Sequence, residues 1–125
     1  MRILVCGGRD YPYDDGGYLR WKLDIIAQNI CSQGSANLFF IAGGARGVDH
    51  LAMCWAIDRG YNHKVYPADW KKHGKSAGYI RNKQMLVEGK PDLVVAFPGG
   101  KGTAMMIDLA RKAGVEVIEV GTKGS

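Results

Sequence analysis

The sequence predicts one three-layer α/β domain, a parallel five-stranded sheet in the order 3-2-1-4-5 with helices on both faces. Three observations predict it. Short apolar runs alternate with helical patterns along the whole chain. The runs are mostly continuous, as strands covered on both faces require. The connections are short, and β-α-β units of that kind wind into a parallel sheet through right-handed crossovers. With 125 residues, 46% hydrophobic and 23% charged, the chain has material for one core and no second.

The first strand is expected at residues 3–6. Leu19, Leu23, Ile26 and Ile30 recur at helical spacing and end near Gly34, which gives the first helix. The second strand follows at 38–42. Val48, Leu51, Ala52, Trp55 and Ala56 mark the second helix, closed by Gly60. The third strand, 64–66, is made less apolar by His63 and Lys64 and belongs at a sheet edge. Ser76 can cap a third helix that runs to Gly89, before Pro91. The fourth strand is 93–97. Thr103, Ile107 and Ala110 mark the fourth helix, closed by Gly114, and 115–120 is the fifth strand. The domain is expected over 1–121, with a loose tail at 122–125.

Cys6, Cys31 and Cys54 are odd in number and show no Cys-x-x-Cys spacing. They read as free thiols of a reducing, cytoplasmic setting. No signal-peptide pattern opens the chain, and no apolar run approaches the roughly 20 residues that span a bilayer. No membrane partner is expected. A formal charge of +5 and a pI near 9.2 favour anionic partners, or simply a solvated basic surface. His50, His63 and His73 show no metal-ligand spacing, so no metal is expected.

Open parallel sheets bind ligands beyond the carboxyl ends of their strands, where strand order reverses. Here those ends carry Gly7-Gly8-Arg9-Asp10, Gly43-Gly44-Ala45-Arg46-Gly47-Val48-Asp49, Pro67-Ala68-Asp69-Trp70 and Pro98-Gly99-Gly100-Lys101-Gly102-Thr103. Glycine lets backbone N–H groups approach an anion closely. The second and fourth loops also open helices, whose first amides and positive dipole end attract phosphate. Neither loop is a Walker P-loop, and no Gly-x-Gly-x-x-Gly follows the first strand, so a nicotinamide or flavin cofactor is not expected.

Those motifs, with Arg81-Asn82, together resemble the YspA/YpsA-related branch of the SLOG superfamily, which also contains the Lonely Guy phosphoribohydrolases and the DNA-processing protein A. The resemblance runs nearly the full chain. It implies a Rossmann-like fold and a nucleotide or nucleotide-derived ligand at the glycine loops. In the Lonely Guy enzymes a Pro-Gly-Gly-x-Gly-Thr-x-x-Glu motif and an upstream arginine serve cleavage of an N-glycosidic bond. Here Pro98 to Thr103 match and Arg81 falls at the arginine, but Met106 stands in the glutamate's place and Asn82 where those enzymes carry lysine. A thioether cannot take or give a proton, so that mechanism lacks its central group.

The expected role is therefore binding, as a sensor or sequestering protein. Amides of Gly43, Gly44, Gly99, Gly100, Lys101 and Gly102, with Thr103, would hold phosphate, and Arg9, Arg46 and Arg81 would neutralise it. Asp69 and Trp70 would contact sugar or base, or else form a turn with an anchoring indole. Asp49 would line the site or bond loop N–H groups, and Arg9 would meet the ligand or pair with Asp10 or Asp49. Two alternatives stand. One is an N-glycosidic hydrolase of nucleoside monophosphates, with Arg81 and with Asp10 or Asp49 replacing the missing glutamate. The other is single-stranded nucleic-acid binding through Lys71, Lys72, Lys75, Arg81 and Lys83. The stretch 71–75 reads as a lid or a solvated loop. Relatives commonly dimerise through helices beside the site, so a homodimer is expected, with Trp21 and Trp55 as candidate contacts if exposed on helix faces; at least one of them is expected in the core instead.

Overall fold

The computed structural model describes residues 1–11, 16–34 and 37–121. The expected tail at 122–125 lies outside them. Five strands, β1 (Arg2–Cys6), β2 (Phe39–Ala42), β3 (Asn62–Val65), β4 (Leu93–Ala96) and β5 (Glu116–Glu119), form one sheet in the order β3-β2-β1-β4-β5. Every pairing is parallel. The helices are α1 (Gly16–Ser32), α2 (Val48–Asp58), α3 (Trp70–His73), α4 (Ala77–Val87) and α5 (Lys101–Lys112). The arrangement is Rossmann-like, and chain order reverses direction across β1.

Alternation along the strands sorts the core into two halves. Ile3, Val5, Phe40, Ala42, Leu93 and Val95 face one way, against Leu19, Leu23 and Ile26 of α1 and Ala52, Trp55 and Ala56 of α2. Leu4, Cys6, Ile41, Val94 and Ala96 face the other way, against Met85 of α4 and Met106 and Ala110 of α5. Trp55 is fully buried, and its indole N–H donates to Asp24 at 2.9 Å, which satisfies the one polar atom that burial would orphan. β3 is exposed at one edge, where its weaker apolar pattern placed it. β5 forms the other edge.

The stretch 71–75 is helical and not an open loop. Asp69 accepts the Lys72 N–H at 3.0 Å and starts α3, which passes through a 3-10 turn (Gly74–Ser76) into α4. Ser76 precedes α4 as expected but makes no side-chain cap, because it already has helical dihedrals at the end of that turn. Of the cysteines only Cys6 is buried, while Cys31 is exposed and Cys54 is partly covered. Among the described residues no helix is long and apolar enough to cross a membrane.

Candidate functional site

The loop after β1 is the hub of the carboxyl edge. The Gly8 N–H donates to the Pro98 carbonyl at 2.9 Å, and the Gly8 carbonyl accepts the Val48 N–H at 3.2 Å. The loops after β4 and β2 are thereby stitched to the one between them. Such close approach leaves no room for side chains. A Cβ on Gly7 would stand 2.5 Å from Val48, and one on Gly8 3.1 Å from the Gly99 Cα. On Gly47, where φ is +79°, it would strike the Gly8 carbonyl, and on Gly99 it would land on the Thr103 hydroxyl. At these positions glycine serves loop-to-loop packing, a different reason from the anion access that the sequence suggested. Gly100 and Gly102 are otherwise: nothing lies within 4 Å of a Cβ there, so their backbone is open.

The two loop-to-helix junctions differ in charge. α5 begins after Gly100 with no side-chain cap and no acidic residue in its first turn. The amides of Lys101, Gly102 and Thr103 have no acceptor within the helix, and the dipole adds positive potential. α2 begins after Gly47, also without a side-chain cap at that position, but Asp49 sits in its first turn. Asp49 is only 7% exposed and accepts the Ala45 N–H at 3.1 Å. Burial pushes its carboxyl up to about 6, opposed by hydrogen bonds from the Ala45 and Gly43 amides and by the charges of Arg81 and Arg9. The junction at α2 thus holds a carboxylate of its own; the junction at α5 holds none.

A pair on α4, the half-buried Arg81 and the buried Asn82, links the two sides. Arg81 donates from Nη1 to the Gly43 carbonyl and, at 3.5 Å, to that of Tyr66, and from Nε to Asn82 Oδ1 at 3.0 Å. Asn82, itself 6% exposed, donates onward to the Gly102 carbonyl at 3.3 Å. The path runs from the loop after β2, through α4, to the first turn of α5. Gly43 must be glycine for this, since a Cβ would lie 2.5 Å from the guanidinium. Burial lowers the Arg81 pKa, so a nearby anion would stabilise its charge.

Two cavities open at this edge. The larger, about 540 Å³, has Cys6, Gly7 and Gly8 at its base and Gly100, Lys101, Gly102 and Thr103 along one wall. Arg9, Asp10, Asp49, Trp70, Arg81 and Asn82 complete the expected residues in its lining. The second, about 450 Å³, is bounded by Gly43, Gly44, Arg46, Pro67 and Ala68 and shares Arg9, Ala45, Trp70 and Arg81 with the first. Gly47, Asp69, Pro98 and Gly99 line neither; the first, third and fourth shape the loops, and Asp69 caps α3. Arg9 lies over the Trp70 ring at 5.2 Å, and Asp10 pairs with Arg46 at 3.2 Å. Met106, 1% exposed, also lines the larger cavity.

Lys75, expected only as part of a nucleic-acid patch or lid, lines the larger cavity, as do Tyr79 and Met105, which sequence reasoning did not place in the site. Lys75 was visible only as part of a basic run. Tyr79 carries no local signal, because its approach to the site depends on how α4 crosses the sheet edge. Among the described residues no three His, Cys, Asp or Glu side chains gather as a metal site.

Residues 1–73 match the YAcAr family, described as the YspA, cpYpsA-related SLOG family. The Gene 61 protein of Mycobacterium phage D29 is 42% identical over 134 residues, spanning 98% of this chain and 98% of its own length.

Proposed function

The chain belongs to the YspA, cpYpsA-related SLOG family, and from that premise we propose that it binds a nucleotide or nucleotide-derived phosphorylated small molecule. One observation carries the reading. The uncapped first turn of α5 faces a cavity of nucleotide size that Arg9, Arg81, Lys75 and Lys101 also line. Phosphate accepts from the Lys101, Gly102 and Thr103 amides and the Thr103 hydroxyl. Trp70 and Tyr79, each about half exposed at the rim, offer flat apolar surface for a base. Sensing and sequestration both need no more than this.

Calorimetric titration with the common nucleoside monophosphates tests the reading. A saturable complex is expected with at least one of them, and Lys101→Glu should weaken it about tenfold by placing a negative charge beside the phosphate. A panel that gives no binding, or binding indifferent to Lys101→Glu, would count against it.

A second reading, N-glycosidic hydrolysis, is favoured by one observation, the buried Asp49 carboxyl in the same cavity. An acid held near 6 suits proton donation to a leaving base while water adds to the anomeric carbon. Free base released from a nucleoside monophosphate by the wild type and not by Asp49→Asn would establish it. A time course with no free base would set it aside.

A further inference from the structure

We infer that the cleft bounded by the loops after β2 and β3 is a second anion subsite, so that the ligand carries two separate anionic groups, one in each cavity. The inference rests on the binding reading above and extends it to the class of ligand. Its first support is charge. The described lining of the smaller cavity includes three cations, Arg9, Arg46 and Arg81, and no carboxylate; Asp49, which bears on Arg9 and Arg81, and Asp10, which pairs with Arg46, line the larger cavity. Among the described residues Arg46 is tied only to Asp10, through a pair whose side chains are 74% and 92% exposed and which solvent screens strongly. It is free to turn to a better acceptor.

The second support is the geometry of Arg81. Its Nη1 and Nε are spent on the Gly43 and Tyr66 carbonyls and on Asn82, which fix the guanidinium plane against the end of β2. Nη2 has no protein partner among the described residues. Arg81 therefore presents an oriented donor edge at the wall that both cavities share. The third support is size. Cavities of about 540 and 450 Å³ each exceed what one phosphate fills, and a single phosphate on the α5 amides leaves Arg46, which lines the smaller cavity and not the larger, with only its exposed pair to Asp10 among the described residues. A nucleotide with a second phosphate or carboxylate remote from the first, its middle passing Trp70 and Arg81, satisfies both.

Inorganic phosphate is the probe, because it needs no knowledge of the base. Backbone amide shifts are followed during titration at constant ionic strength, with chloride as the balancing anion. Two groups of amides are expected to move on separate isotherms, one at 101–103 and one at 43–46. Ala68 lines only the smaller cavity, so Ala68→Glu should weaken the second isotherm about tenfold and leave the first unchanged. Ala68→Gln, similar in size and uncharged, should restore it and exclude a folding defect. Movement at 101–103 alone, or a second isotherm indifferent to Ala68→Glu, overturns the second subsite while the binding reading stands. Movement at 43–46 alone overturns the assignment of phosphate to α5, and no movement at all overturns both.

Discussion

Asp49 shows how one residue can answer two expectations. Its bond to the Ala45 N–H is the local, structural role, and its place in the larger cavity is the functional one. Burial raises its carboxyl from 3.8 to about 6. Between those values the folded chain keeps a proton that the unfolded chain has released, so stability falls as pH rises through that window and levels off above it. The change is at most about 3 kcal/mol. Urea denaturation at pH 4 and pH 7 should therefore differ for the wild type and converge for Asp49→Asn, whose amide oxygen still accepts from Ala45. Equal slopes in both proteins would place the carboxyl elsewhere. Cys6 offers a parallel check, since burial pushes its thiol up to about 12. Native-state labelling with a disulfide reagent should modify the exposed Cys31 first and reach Cys6 only on unfolding.

At the scale of loops and helices, the sequence announced where glycines cluster but not why each is there. A glycine that faces a ligand and one that faces another backbone look alike in a string of letters. Only the register of three loops, set by Gly8 bonding to Pro98 and Val48, separates them. The two kinds should respond oppositely to alanine. Gly47→Ala meets both a positive φ and the Gly8 carbonyl, and should cost more than about 2 kcal/mol. Gly102→Ala meets nothing, lies in the first turn of α5, and should stabilise the fold by up to about 1 kcal/mol while weakening phosphate binding. Urea midpoints shifting in the same direction for both would refute the division. α3 was missed for a related reason: Asp69 capping Lys72 is a four-residue event with no apolar period to reveal it.

Across the whole molecule, strand order was legible because the three central strands are short continuous apolar runs, and β3 is pushed to an edge by His63 and Lys64. The outer faces of the helices were less legible, since a tryptophan at helical spacing fits a core or an interface equally well. Burial divides the two candidates. Trp55 fills the core, and Trp21 stands 56% exposed on α1, in contact with Tyr18 at 5.9 Å. Ile57 on α2 is 59% exposed, and the Arg20–Asp58 ion pair joins α1 to α2 at the residues adjoining Trp21 and Ile57 in sequence. Large apolar side chains exposed on adjoining helices offer a surface that a second copy can cover. Self-association through α1 and α2 would cover it, and these helices lie on the sheet face opposite α4 and α5, so the cavities stay open. Light scattering at micromolar concentration should give twice the 13.6 kDa of the chain, and Trp21→Lys should return the mass to 13.6 kDa with the fold intact. A wild-type mass of 13.6 kDa across that range would leave Trp21 as an unpartnered surface residue.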